Sequence, residues 1–185
     1  MARNSTRKSG GTPKPALPDY AHVVRGLPPG MHRYLELLPR AAESPGMVRV
    51  AADPQARARL LATAQVRIEQ MRSFCWVDIA VPCIVLSQDY YREGSTLDLY
   101  LDLLHELTHV RQVGEGRDVW DEAYEYVDRP TEIEAYAVAV SEGRRLGMTD
   151  AEVVLHLSNP WMSSKDVQRL VDHIEALLAP PPPVR

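Results

Sequence analysis

Apolar positions along the chain change period several times, and each change marks an element. Residues 20–46 are broken by Pro28, Pro29, Pro39 and Pro45, leaving room for one short helix near Met31–Leu38. MVRVA (47–51) reads as a strand from its β-branched content. Asp53-Pro54 forms an N-cap with Pro in the first helical position. From there a stripe of Leu60, Leu61, Ala64, Ile68 and Met71 predicts a helix to about Arg72. The run FCWVDIAVPCIVLS (74–87) is aromatic and β-branched. Pro82 in its middle argues for two short strands, or an edge strand, rather than one long central strand.

The second half is helical by its caps. Ser95-Thr96-Leu97-Asp98 fits a capping box opening LDLYLDLLHELTHVRQV, and Gly114 and Gly116 close that helix. Leucines at 97, 99, 101, 103, 104 and 107 lie on every side of it, so it belongs in the middle of the domain. A polar loop runs to about Arg129. The next helix begins near Pro130-Thr131 and reaches Leu146, with Gly147 just past its end. Caps at Thr149 and Ser163 start two more helices, to about Leu157 and Leu178. The fold class expected is α+β, zincin-like: helix-rich, with a small sheet packed on a buried active-site helix.

Composition narrows the class. The 185 residues suit one domain, expected over 20–179, and 45% hydrophobic with 25% charged residues is a globular balance. Residues 1–19 read as a disordered basic tail and 180–185 as a proline-rich tail. Four basic residues without interleaved aromatics (Arg3, Arg7, Lys8, Lys14) offer nucleic acid no more than weak contact. No apolar run reaches the ~20 residues of a membrane helix. The basic start lacks a following apolar region, so the expected location is cytoplasmic. Cys75 and Cys83 read as reduced, buried thiols. Charge is uneven within the net −4: residues 93–152 hold fifteen acids against five arginines, a bias towards cationic substrates if it is more than a solvated surface.

The chemistry concentrates in His105-Glu106-Leu107-Thr108-His109, an HExxH sequence. Residues i and i+4 of a helix share a face, so both imidazoles can reach one zinc ion. Glu106 adjoins the first ligand and is directed to the water that a metal activates, where a general base is needed. Two histidines and a glutamate in a leucine-rich buried helix require a partner, since unpaired buried charge costs several kcal/mol.

A catalytic zinc takes three protein ligands. The longer pattern HExxHxxGxxH fails, because Gln112 and Glu115 stand where its Gly and His belong. Glu132 and Glu134, opening the next helix, are the candidates for third ligand. Glu132 is favoured for two reasons. Thr131 with Glu134 makes a TxxE capping box that would occupy Glu134, and Glu132 shares its face with Ala135 and Ala139, which allow close helix approach. Either glutamate could instead simply complement a helix N-terminus.

HELTH followed by a helix with ExEA resembles the gluzincin metallopeptidases, and more distantly the ImmA/IrrE family, over roughly residues 83–146. The resemblance implies one zinc per chain held by His105, His109 and Glu132, with Glu106 as base, acting on a peptide or protein substrate. Where that pattern often has Asn or Asp four positions after the third ligand, this chain has Tyr136. Tyr136, Tyr124, Tyr126 and His156 are the candidates to stabilise an oxyanion. Trp120 and the Tyr124/Tyr126 loop are expected to wall the cleft, and CIVLS (83–87) to bind extended peptide by strand addition. The alternative is a non-catalytic zinc module, against which an intact Glu106 speaks.

Overall fold

The computed structural model describes residues 16–71 and 74–180. Four strands, β1 (Gly30–Arg33), β2 (Gln65–Glu69), β3 (Cys75–Asp78) and β4 (Cys83–Ser87), form one mixed sheet in the order β1-β2-β4-β3. β2 and β4 are parallel, and the two outer pairs are antiparallel. Every residue of β4 is buried, which suits its unbroken apolar run and its central position.

Eight α-helices accompany the sheet among the described residues: α1 (Tyr34–Leu37), α2 (Gly46–Val50), α3 (Pro54–Thr63), α4 (Gln88–Glu93), α5 (Thr96–Gly114), α6 (Pro130–Arg145), α7 (Asp150–Leu157) and α8 (Ser164–Leu178). The architecture is α+β. α5 lies at the centre, with β3 and β4 on one side and α6 and α2 on the others. Leu99, Leu101, Leu103, Leu104 and Leu107 are fully buried around it. A second apolar cluster joins α6 to α7 and α8 through Val140, Leu157, Leu170 and Ile174.

Caps set the boundaries where expected. The side chains of Asp53, Ser95, Thr149 and Ser163 each accept a backbone N–H from the first turn of their helix. Gly147 follows α6 with φ +92°, a left-handed conformation that favours glycine.

Four local expectations are corrected. MVRVA is helical, because α2 begins beside Pro45 and buries Met47 and Val50 on one face. The helix from Pro54 stops at Thr63, since Ala64 turns extended, and Val66 and Ile68 are buried as alternate residues of β2. The segment near Met31–Leu38 divides into β1 and α1. β4 is not an edge: it lies between β2 and β3, which occupy both sides where a peptide would add, and the edge strand on that side is β3.

Most of the basic tail lies outside the described residues, as do 181–185. Of the part that is described, Leu17 already packs against the core and Asp19–Ala21 form a 3-10 turn. Cys75 and Cys83 are both free thiols, Cys83 fully buried and Cys75 partly so. No helix among the described residues is long and apolar enough to cross a membrane.

Candidate metal centre

α5 carries His105 and His109 one turn apart, and α6 carries Glu132 in its first turn, where the helix N-terminus favours a carboxylate. The helices approach closely along Ala135, Ala139 and Gly143. Both alanines are fully buried, and a Cβ on Gly143 would stand 3.1 Å from Leu101. The expectation about small residues on the Glu132 face is met.

The approach brings three donors together. His105 Nε2 and His109 Nε2 are 3.0 Å apart, and Glu132 Oε2 lies 3.4 and 3.5 Å from them. Donors ~2.0–2.1 Å from a tetrahedral zinc stand about 3.3–3.4 Å apart, so the triangle fits such an ion. All three side chains are buried, and Glu132 Oε2 has no hydrogen-bond partner among the described residues. An orphaned carboxylate oxygen aimed at two imidazole nitrogens lacks only a cation. The cluster could therefore hold a metal ion.

The electrostatics reflect that crowding. Burial pushes the His105 imidazole down to about 4, despite the Glu132 carboxylate beside it. Burial would lower His109 too, but Glu132 and Glu106 outweigh it and raise the ring to about 9. The paired imidazoles hold Glu132 well below the usual carboxylate range, overcoming its desolvation. Glu106 is buried without an equal compensating cation and rises to about 8.

Glu134 goes elsewhere. It forms ion pairs with Arg111 and Arg117 and accepts a hydrogen bond from Gln112 Nε2 at 3.0 Å. The expected TxxE box does not form, since the N-cap is Arg129 and Thr131 Oγ1 has no partner among the described residues. Thus Glu132 joins the histidines, but arginines rather than a cap engage Glu134.

Gln112 is the residue that sequence reasoning missed. Its Oε1 lies 2.7 Å from His109 Nδ1, and its Nε2 donates to the Thr131 carbonyl at 3.1 Å. It orients one imidazole and ties α5 to the start of α6. Its place three residues after His109, on the same helical face, was the available signal. Among the described residues His105 Nδ1 has no such partner, and the ring instead packs on Tyr136, with centroids 4.2 Å apart.

A cavity of about 720 Å³ opens beside the cluster, lined by His105, Glu106, Tyr126, Tyr136, Asn159 and Trp161 among others. The Tyr126 and Tyr136 hydroxyls are 2.9 Å apart, and Asn159 Nδ2 donates to Tyr136 at 3.3 Å. Burial keeps both phenols protonated. His156 also lines the cavity. Trp120 and Tyr124, expected in its wall, are largely exposed and do not line it; Trp161 from the α7–α8 connection does. No family model, curated protein or solved structure matches this chain.

Proposed function

We propose that this protein is a zinc-dependent hydrolase, a peptidase of gluzincin type with a zincin-like fold. In it His105, His109 and Glu132 hold the metal and Glu106 is the general base. The observation that carries the reading is the convergence of three buried donors beside a cavity that Glu106 also lines. Zinc bound there would supply a Lewis acid for a substrate carbonyl and lower the pKa of water.

The remaining work falls to the chain. Glu106 lines the cavity beside His105, where its carboxylate can reach a water at the metal. It would take a proton from the attacking water and deliver it to the leaving amine. Tyr136 accepts from Asn159, which leaves its own proton for Tyr126 or for an oxygen in the cavity. The tyrosine pair is therefore suited to donate to a developing oxyanion. Gln112 holds His109 in one orientation, and the Tyr136 ring braces His105.

The test compares wild type with Glu106→Gln for zinc content and for cleavage of a broad peptide library. Gln keeps the shape but cannot accept the proton. Both proteins should carry one zinc per chain, and the variant should lose ~10²–10⁴ in rate. Equal rates would remove Glu106 from the mechanism. If wild type cleaves nothing, the chain is a non-catalytic zinc module.

A further inference from the structure

Beyond the metal cluster, the cavity changes character. Asp98, Asp102 and Glu106 follow one another at i, i+4 and i+8 on α5, and all three line it. On a helix that spacing sets them about 6 Å apart along the axis, on one face. The same cavity is also lined by the aliphatic side chains of Leu97, Met148 and Leu155. Carboxylates and aliphatic side chains lining one cavity match one kind of group: an aliphatic stem ending in a cation.

His156 supplies a second, independent observation. Its side chain is only 5% exposed and lines the same cavity. Nδ1 lies 3.4 Å from Asp98 Oδ1, and Nε2 lies 3.6 Å from Asp102 Oδ1. Nε2 makes no hydrogen bond among the described residues. Burial alone would lower the affinity of this ring for protons, yet the two aspartates raise it. The place between the two aspartates therefore favours a positive charge. Asp102, 28% exposed, keeps lone pairs beyond those used by the Tyr90 hydroxyl, which donates to it.

We infer that this half of the cavity is a specificity pocket for a basic side chain of a peptide, with Asp102 and Asp98 receiving the cationic head. Arginine fits best, because its planar fork can donate two parallel N–H groups to a carboxylate such as Asp102. The inference rests on the peptidase reading only in that the peptide bond would lie near the metal cluster.

Binding tests it without turnover. The full-length Glu106→Gln variant, loaded with zinc, is titrated calorimetrically with alanine-based hexapeptides carrying arginine at each position in turn. The same set is repeated with citrulline, which is isosteric but neutral. At one position arginine should bind at least about tenfold tighter than citrulline. Adding Asp102→Asn should erase that ratio, while adding Tyr90→Phe, which removes the hydrogen bond but keeps the charge, should preserve it. Equal affinity for arginine and citrulline throughout overturns the pocket, as does a ratio that survives Asp102→Asn. A ratio lost in both double variants assigns Asp102 to packing and overturns it too. An arginine preference in binding with no cleavage by wild type keeps the pocket and removes the peptidase. Cleavage without the preference removes the pocket alone.

Discussion

Gln112 shows how much of a candidate metal centre lies behind the three donors. Its side chain has one acceptor and one donor group; the first faces His109 Nδ1 and the second serves Thr131 and Glu134. Gln112→Leu keeps the volume but leaves the imidazole free to rotate and cuts the tie from α5 to the Thr131 carbonyl. The expected result is a ~10–100-fold loss of zinc affinity with the fold retained, measured by competition with a chromophoric chelator. Unchanged affinity would mean that the walls of the site hold His109 without help. At this scale the sequence was most legible where spacing dictates geometry: His105 and His109 had to share a face. It was less legible where a partner comes from another segment. Glu134 looked like a cap because Thr131 precedes it by three residues, but Arg111 and Arg117 reach it from α5 and the loop that follows. No local pattern announces a pairing across that distance.

Between elements, the cluster depends on how closely α6 lies against α5. Ala135, Ala139 and Gly143 form the contact stripe, and Glu132 sits one turn before it. Ala139 is fully buried, so Ala139→Leu has no space to fill and should force the helices apart. Overpacking of this kind costs ~1–3 kcal/mol. Urea unfolding should report that loss. Zinc affinity should fall as well, although Ala139 is no ligand, because Glu132 moves with α6. A variant that is destabilised but binds zinc as tightly as wild type would uncouple the site from the packing. Helix starts were legible in the sequence, since a cap is a local event: Asp53, Ser95, Thr149 and Ser163 all act as their type predicts. Short apolar runs were not. MVRVA and the segment after Thr63 are ambiguous between periods 2 and 3.6, and neighbours decide the outcome. Ile68, counted with the stripe of α3, instead alternates with Arg67 and Glu69 in β2.

For the molecule as a whole, folding and metal binding should be one process. Glu132 and the two histidines come from helices separated by the loop and turn that end at Arg129, so the three donors meet only when α5 and α6 are packed. The fold class was readable from the alternation of caps and apolar runs. The sheet order was not, because pairing β4 between β2 and β3 is a long-range choice that local pattern leaves open. That same long-range packing should make zinc a large term in stability. An ion that binds only the folded chain, present at a thousand times its dissociation constant, adds ~4 kcal/mol. For a chain of this size each kcal/mol moves the melting temperature by ~2–4 °C. Stripping the protein with a chelator should therefore lower the melting temperature by about 8–16 °C, and restoring zinc should recover it. Glu106→Gln, which touches no ligand, should show the same shift. Glu132→Gln should show little of it, because a neutral amide is a poor third donor. A melting temperature indifferent to chelation in the wild type would mean that the three buried side chains are held together without a metal. The orphaned Glu132 oxygen would then have to be satisfied by a protonated imidazole, and stability would fall as pH rises through the raised His109 value of about 9.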